Sequence, residues 1–318
     1  MHKVKKIFNR IILITKETIQ LLRSGWSVGY VLWNFLWWFS WSIKLQKLNK
    51  LATNKKTIYI EKHLIKHYGD IIEKYRIAEE SCVECKDFKI WVFWGQGEDQ
   101  MPALVKACYN KMIENNPNIQ FIDMNNVRDF VKIPQTVYDK LEKKKISYTN
   151  FSDILRNTLL AQHGGVWIDS TVWFPHKMPE MVKQCEFFSP HDVASGTMFV
   201  GYALGSNKIN STTFCFTRDI LTTVCLKEKI WPDYLLMGYL FDFAYKHIPA
   251  TRTAINATPE NNNRRYMLFA LMNKPYDENT YTELTKDNFI FKLSYKAHYK
   301  LECDGKQTYY AKLIANKQ

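Results

Sequence analysis

The stretch SDILRNTLLAQHGGVWIDSTVW, residues 152–173, decides the fold because it joins a helix to a strand through two glycines. Leucines recur at helical spacing, and Gly164 and Gly165 predict the end of the helix. The run that follows, VWIDSTVWF (residues 166–174), predicts a strand that delivers Asp169. Helix, tight turn, strand and carboxylate in this order predict an α/β unit with a polar site at the strand end.

The segments before this stretch alternate between strand and helix patterns. KIWVFWGQG (residues 89–97) predicts a strand, MPALVKACYNKMIENNP (101–117) a helix and IQFIDM (119–124) a second strand. IPQTVYDKLEKKKI (133–146) predicts a polar, partly helical segment. This alternation predicts a mainly parallel sheet, in which ligands bind beyond the carboxyl ends of the strands.

The polar residues of the opening stretch are predicted to converge. Asp153, Arg156 and Asn157 share one helix face, with Ser152 as the predicted N-cap, and the adjoining strand delivers Asp169. Carboxylates accept hydrogen bonds from sugar hydroxyls, and arginine binds sugar oxygens or phosphate. The set therefore predicts a site for a polyhydroxylated, phosphorylated ligand. The alternative is a helix-surface ion pair and an acid that caps a turn.

The composition is that of a globular protein. The chain has 318 residues, of which 46% are hydrophobic and 24% charged, which excludes intrinsic disorder and fibrous repeats. Seven cysteines, an odd number, lie mostly in apolar stretches and predict thiols in a reducing compartment. Cys82 and Cys85 have zinc-ligand spacing, but no second pair follows.

The net charge of +13 is concentrated near the N-terminus. Residues 1–60 contain eleven basic side chains and one acid, which gives +10 and leaves +3 for the rest of the chain. In MHKVKKIFNRIILITKETIQLLR, residues 1–23, apolar residues share one helical face and most basic residues lie off it. This pattern predicts a helix on an anionic membrane surface.

The next segment, residues 24–43, has no charged residue and contains five of the ten tryptophans. Tryptophan favours the headgroup boundary, so interfacial or re-entrant insertion is predicted rather than a span. The alternative is a pair of helices that pack on the following domain or on another subunit. No nucleic-acid partner is expected, because the aromatic residues do not alternate with lysines.

A polar, lysine-rich helical connector is predicted at residues 44–86. His63 and His67 lack the glutamate of a His-Glu-x-x-His zinc motif, so both are expected to be solvated. We therefore expect a helical, membrane-associating region at residues 1–86 and one α/β domain at residues 87–318.

Residues 152–171 resemble a motif of the capsular polysaccharide synthesis proteins. Through them they resemble glycosyltransferases of the sugar-binding DXD type, which include yeast α-mannosyltransferases and clostridial toxin glucosyltransferase domains. The shared pattern is Ser-Asp-x-x-Arg, about seven residues, Gly-Gly, an aromatic, an aliphatic and Asp-x-Asp. A looser likeness extends from Lys89 to about residue 300. The resemblance implies a GT-A fold with one nucleotide-sugar-binding domain, and sugar transfer that retains the anomeric configuration.

The resemblance also implies roles for individual residues. Asp153 and Arg156 would contact the sugar or ribose of the donor, and Asn157 lies on the same helix face. Trp91 and Gly95 would lie beside the base at the end of the first strand.

The sequence departs from the family pattern at the metal position. In DXD enzymes the second acid ligates Mn²⁺ or Mg²⁺ on the donor diphosphate, and Thr171 stands there. A hydroxyl is a weak ligand for such a cation. The resemblance thus implies that Asp169, followed by Ser170 and Thr171, keeps the donor contact while the metal contact weakens. Either a metal on Asp169 or basic side chains would stabilise the leaving diphosphate.

Further candidates lie near the C-terminus. In FKLSYKAHYK, residues 291–300, Lys292 and Lys296 are candidates for binding the diphosphate and His298 for binding a metal, with a solvated charged face as the alternative. Asp233 is, beside Asp169, the candidate catalytic residue, which would bind the acceptor hydroxyl or stabilise an oxocarbenium-like centre. A helix-capping acid is the alternative reading of Asp233.

These features predict a bacterial glycosyltransferase that uses a UDP- or GDP-sugar and a lipid-linked glycan acceptor. It would act in surface or capsular polysaccharide synthesis, as a peripheral or monotopic protein at the cytoplasmic face of the plasma membrane. The alternative is a non-catalytic scaffold subunit of a polysaccharide assembly complex, which Thr171 favours. Asp153, Arg156 and Asp169 count against a scaffold, because it does not need them together. The eight histidines do not cluster as a metal-dependent phosphodiesterase would require.

Overall fold

The structure, a computed structural model, describes residues 14–77 and 81–315. Residues 14–23 are helical, and the rest of the predicted membrane-surface helix lies outside the described residues. The elements that follow along the chain are α1 (Val28–Ser42), α2 (Gln46–Ile77), β1 (Val83–Glu84), β2 (Ile90–Phe93), α3 (Ala103–Asn115), β3 (Ile119–Ile122), α4 (Val127–Phe130), α5 (Gln135–Glu142), α6 (Tyr148–His163), β4 (Gly165–Ile168), β5 (Val172–Trp173), α7 (Glu180–Gln184), β6 (Ala203–Ser206), β7 (Lys208–Ile209), α8 (Thr212–Lys227), α9 (Leu236–His247), α10 (Pro249–Asn256), α11 (Met267–Leu271), α12 (Glu278–Thr285), β8 (Phe291–Lys292), β9 (Glu302–Cys303), β10 (Lys306–Gln307) and α13 (Tyr309–Ala315).

The chain divides into two compact units, each built from three separate stretches. The helical unit comprises residues 1–78, 134–151 and 216–248. The sheet unit comprises residues 79–133, 152–215 and 249–318. The α/β class is confirmed by the sheet unit, and the domain boundary after residue 86 stays a prediction.

A four-stranded sheet of order β3-β2-β4-β6 forms the centre of the sheet unit. Strand β2 is parallel to β3 and to β4, with Trp91 opposite Trp167, and β6 is antiparallel to β4. Every residue of β2, β4 and β6 is buried, as expected for central strands with both faces covered. The predicted mainly parallel sheet is therefore confirmed.

The two glycines between α6 and β4 allow a close approach to the neighbouring strand. Gly164 and Gly165 have φ angles of +64° and +85°, in the left-handed region that favours glycine. A Cβ at Gly165 would lie 2.4 Å from the carbonyl oxygen of Lys89, just before β2. Only a residue without a side chain lets the backbone enter β4 this close to β2.

Two details of the opening stretch differ from expectation. Helix α6 begins at Tyr148, so Ser152 is not the N-cap. The Ser147 Oγ accepts from the Asn150 amide at 3.2 Å, and the Asn150 Oδ1 accepts from the Ser147 amide at 2.9 Å. This reciprocal cap starts the helix earlier. The predicted strand VWIDSTVWF is also divided, because residues 169–171 turn the chain between β4 and β5.

Helix α2 of the helical unit has a buried face, although its sequence predicts a polar, lysine-rich connector. Its buried residues recur every three or four positions and are Ala52, Lys56, Ile60, Leu64, Tyr68, Ile72 and Tyr75. This face contacts α1 and α9. His63, expected to be solvated, instead stacks on Trp26 with 3.8 Å between ring centroids and lies 3.0 Å from the Glu228 carboxylate, whereas His67 is exposed.

Helix α1 is apolar on both faces. Tyr30, Val31, Asn34 and Trp37 are buried against the unit, whereas Val28, Leu32 and Trp41 are more than half exposed. Across the described residues 14–77 and 81–315, we find no helix long and apolar enough to cross a membrane.

We predict that Gly165→Ala lowers the free energy of unfolding by on the order of 3 kcal/mol, because left-handed strain adds to a backbone collision. The control is Gly305→Ala, at φ +70° in open space in the same unit, for which we expect a loss of about 1 kcal/mol from strain alone. Urea denaturation of both variants measures the difference. Equal losses in the two variants would show that the collision with the Lys89 carbonyl does not contribute to the loss of stability.

Candidate functional site

Asp169 lies at the carboxyl end of β4, and its carboxylate has a separate donor on each oxygen. The backbone amide donates to the Tyr202 carbonyl at 2.9 Å, which extends the pairing with β6. The Trp167 Nε1 donates to Oδ1 at 2.9 Å, and the Lys292 Nζ donates to Oδ2 at 2.7 Å. These donors fix the orientation of the carboxylate at the end of the strand.

Lys292 reaches Asp169 through a short antiparallel pair of strands. Strand β8 pairs with β5, with Lys292 opposite Val172, and the Leu293 amide donates to the Thr171 carbonyl at 3.0 Å. The Lys292 Nζ also donates to the Thr171 Oγ1 at 2.7 Å. The ammonium group therefore bridges the first and third side chains of Asp-Ser-Thr.

Arg156 lies behind Asp169, with its guanidinium engaged on all sides. Its Nε donates to the Ser152 carbonyl at 3.1 Å, and one terminal nitrogen donates to the Gly201 carbonyl. The other terminal nitrogen is 3.3 Å from the Asp153 carboxylate and 3.7 Å from the Asp169 carboxylate. Arg156 thus ties the two acids to the helix and to the loop before β6.

The charged side chains of the site differ in their access to solvent. The side chains of Arg156 and Asp153 are each 7% exposed, whereas those of Asp169 and Lys292 are 27% and 24% exposed. An entering ligand therefore meets Asp169 and Lys292 first. The donor contact inferred for Asp153 and Arg156 stays a prediction; in this structure Asp153 pairs with Arg156, which lies 3.7 Å from Asp169.

The two acids have opposite pKa shifts. For Asp153, burial outweighs the attraction of Arg156, the nearby Asp169 charge adds to it, and the pKa rises to about 7. Burial also raises the pKa of Asp169, but the charges of Lys292 and Arg156 and the hydrogen bonds from Lys292 and Trp167 outweigh it and lower that pKa to about 2. Asp169 is consequently the permanent anion of the site.

Trp91 and Gly95, both predicted beside the base, do not lie at the same end of the parallel strands. The Trp91 Nε1 donates to the Gly164 carbonyl at 2.8 Å, which puts the indole at the amino end of β4. Gly95 is in the turn after β2, and its carbonyl accepts from the Met124 amide at 3.4 Å. Because β2 and β4 are parallel, only Gly95 shares the sheet edge of Asp169.

The other predicted residues of the sheet unit do not converge as a group. Asn157 is buried in α6 and donates to the Asp153 carbonyl at 2.7 Å, and Ser170 is buried in the turn after β4. Lys296 and His298 are exposed. The Lys296 Nζ lies 5.6 Å from the Tyr295 ring centroid, and none of the contacts found in the described residues links His298 to Asp169.

Asp233, predicted as a catalytic residue, belongs to the helical unit, where its side chain is 1% exposed. Its Oδ2 is 2.9 Å from the fully buried Lys56 Nζ and accepts from the Tyr30 hydroxyl at 2.9 Å. Its Oδ1 accepts from the Leu235 amide at 2.8 Å. Both oxygens are used within the fold of this unit, and a role toward an acceptor stays a prediction.

Sequence reasoning misses two aromatic residues at the site. Trp167 precedes Asp169 by two residues, so the strand period places both side chains on one face, a signal the sequence does contain. The Tyr202 ring centroid is 5.1 Å from the Lys292 Nζ and 6.3 Å from the ring of Tyr266, which is 51% exposed. Tyr202 is placed by the β4–β6 pairing, for which no local signal exists.

The residues present do not fit a divalent metal ion at Asp-Ser-Thr. Mn²⁺ and Mg²⁺ prefer several oxygen ligands, and this turn offers one carboxylate and one hydroxyl side chain in contact with the Lys292 ammonium. A cation that bound both oxygens would lie against that ammonium and be repelled. Within residues 14–77 and 81–315, no group of three or more His, Cys, Asp or Glu side chains could hold a metal, and none of the seven cysteines forms a disulfide.

The arrangement can bind a ligand that carries both hydroxyl groups and an anion. The Asp169 carboxylate can accept hydrogen bonds from hydroxyls, and the Lys292 ammonium can donate to an anionic oxygen beside it. The buried guanidinium of Arg156 offsets the negative charge of Asp169 from behind. The site thus presents an anion and a cation side by side at a sheet edge.

The fold and site are those of an α/β protein with a charged centre beyond a strand end, and comparison with known proteins places the chain in a family. The family of capsular polysaccharide synthesis proteins matches residues 41–313, so the chain belongs to it, and the resemblance seen at residues 152–171 is confirmed. Curated proteins gave no match. A solved structure named PaToxG glycosyltransferase is similar at 15% identity and a TM-score of 0.39, covering 64% of this chain and 90% of that chain.

We predict that Asp153→Asn becomes more stable relative to the wild type as the pH rises from about 4 to about 7. The folded protein holds the Asp153 proton more tightly than the unfolded chain, so wild-type stability falls across this window by up to about 1.4 kcal/mol per pH unit. Asparagine mimics the protonated acid and removes this dependence. Urea denaturation of both proteins at several pH values measures the difference, and parallel curves would contradict the shifted pKa.

Proposed function

We propose that this protein is a glycosyltransferase that moves a sugar from a nucleoside diphosphate donor to a polysaccharide acceptor. The observation that carries the proposal is the partly exposed pair of Asp169 and Lys292 at the carboxyl end of β4, with Arg156 behind Asp169. A nucleotide sugar offers both groups that this pair can bind, hydroxyls for the carboxylate and phosphate for the ammonium. Membership of the capsular polysaccharide synthesis family supports a glycan as the acceptor.

The proposed donor site lies in a single GT-A-like domain. Asp169 binds hydroxyls of the sugar or ribose, Lys292 binds the diphosphate, and Lys296, exposed four residues later, is available to a ligand outside the centre. The bond between the sugar C1 and the phosphate oxygen breaks, and its electrons stay on the diphosphate. The acceptor oxygen bonds to C1, and its proton passes to the diphosphate. Transfer with retention needs both events on one face of the sugar.

The helical unit supports the proposal of an anionic membrane surface and a lipid-linked acceptor. Trp41, Ile43 and Leu45, at the end of α1 and just after it, are 53%, 40% and 49% exposed. Lys44, Lys47 and Lys50, which follow at the end of α1 and the start of α2, are exposed as well. Apolar and basic side chains close together favour an anionic bilayer, as expected at the cytoplasmic face of a bacterial plasma membrane.

The second candidate is a non-catalytic scaffold subunit of a polysaccharide assembly complex. Its support is that the Asp169 carboxylate is already satisfied by Lys292 and Trp167, so the pair can serve folding alone. A scaffold of this kind binds no nucleotide sugar, and a binding measurement separates the two candidates.

We predict that the protein binds at least one UDP- or GDP-sugar, and that Asp169→Asn weakens this binding about tenfold to hundredfold. The neutral amide loses charge-assisted hydrogen bonds to sugar hydroxyls. Calorimetric titration of a donor panel measures the affinities. The control is Asp287→Asn, an exposed acid of the same unit, for which we expect wild-type affinity. If no donor binds to the wild type, the scaffold candidate replaces the transferase.

We predict that the triple variant Lys44→Glu, Lys47→Glu and Lys50→Glu binds vesicles of anionic phospholipid more than about a hundredfold more weakly than the wild type. Each lysine near such a surface contributes about 1 kcal/mol, and reversal adds repulsion. Co-sedimentation with vesicles measures the binding. The matched control reverses Lys143, Lys144 and Lys145, which are also exposed and belong to the same unit. Equal losses of vesicle binding in both variants would show that net charge alone, and not the position of the lysines, determines the binding.

A further inference from the structure

We propose that Lys292 takes the place of the divalent cation at the donor diphosphate, so that this protein binds its nucleotide donor without a metal. The inference rests on the proposed function and specifies how its site handles the charge of the diphosphate. The Lys292 Nζ lies 2.7 Å from the Asp169 Oδ2 and 2.7 Å from the Thr171 Oγ1. The ammonium holds together the two side chains between which a bound cation would have to lie.

The backbone fixes this position. Lys292 pairs with Val172 across β5 and β8, and its amide donates to the Arg265 carbonyl at 2.8 Å. The neighbours Phe291 and Leu293 are buried, at 0% and 2% exposure. Because the strand is anchored by the core on both sides of the lysine, the Cα of Lys292 cannot move away from the turn without disrupting that core. The cation is built into the fold.

The ammonium keeps capacity for a ligand. A lysine ammonium has three N–H groups, and Asp169 and Thr171 accept from two of them. The side chain is 24% exposed, so the third N–H can reach a phosphate oxygen that enters from solvent. Arg156 is too deeply buried to take this role, and its contacts with Ser152 and Gly201 occupy it. Lys292 is therefore the cation that meets the diphosphate.

The chemistry of sugar transfer requires such a cation. When the C1–O bond breaks, the electron pair remains on the diphosphate oxygen, and the new negative charge must be stabilised where it develops. A fixed ammonium does this without a metal, and the acceptor proton later neutralises the same oxygen. Thr171 is then the appropriate residue for the turn, because its hydroxyl accepts from Lys292 without adding a second negative charge.

The test is calorimetric titration of UDP and GDP, and of their sugar donors, into the full-length protein in EDTA and in Mn²⁺. We expect the same affinity under both conditions. Lys292→Met keeps the apolar length of the side chain and removes the charge, and it should weaken nucleoside diphosphate binding about tenfold to hundredfold. Lys292→Arg keeps the charge and should retain binding in EDTA. The matched control is Lys300→Met, an exposed lysine of the same segment, which should bind as the wild type does.

Two outcomes overturn the inference, and they are distinguishable. Wild-type binding that requires Mn²⁺, or binding in EDTA that Lys292→Met leaves unchanged, would overturn the inference, and the proposed transferase function would stand. Failure of the wild type to bind any nucleoside diphosphate or sugar donor in either condition would remove the proposed function together with the inference. The comparison of EDTA with Mn²⁺ uses the wild type alone, so a variant that fails to fold does not weaken the test.

Discussion

The close approach of the Gly165 backbone to the carbonyl of Lys89 is the constraint on which the sheet unit depends. It lets α6 end and β4 begin directly beside β2, so the helix that carries Arg156 and the strand that ends at Asp169 are only a turn apart. A side chain at residue 165 would push the two strands apart. The distance between guanidinium and carboxylate at the site is thus set at the other end of the strand.

The two carboxylates of the site have opposite pKa shifts. Asp169 is stabilised as an anion by a cation on each side, whereas Asp153, buried more deeply, has its pKa raised toward neutrality. The same guanidinium lies near both, so the difference follows from the Lys292 charge and from the hydrogen bonds that Lys292 and Trp167 donate to Asp169. The single acid of Asp-Ser-Thr therefore supplies one ionised acceptor at the strand end.

The sequence predicts those features that follow from local pattern. Alternating strand and helix segments predict the parallel sheet, and the Gly-Gly turn places Asp169 at its carboxyl edge. The partners of Asp169 are harder to predict, because Lys292 and Tyr202 arrive through strand pairing over long sequence separations. Helix α2 has a polar composition that hides a buried face, since Lys56 lies inside the helical unit opposite Asp233. A charged residue at a core position is predicted to be exposed as long as its ion-pair partner is not known.

The division of the chain has a practical consequence for anyone who expresses parts of this protein. Each unit is assembled from three separate stretches, so no single cut in the gene yields either one whole. A shortened gene that starts after the tryptophan-rich segment and α2 would still encode the stretches around α5 and α9. Helix α9 would have lost the helix that packs against it, and Asp233 would have lost its ion pair with Lys56. Removing the N-terminal helices to improve solubility would therefore expose buried residues of the helical unit.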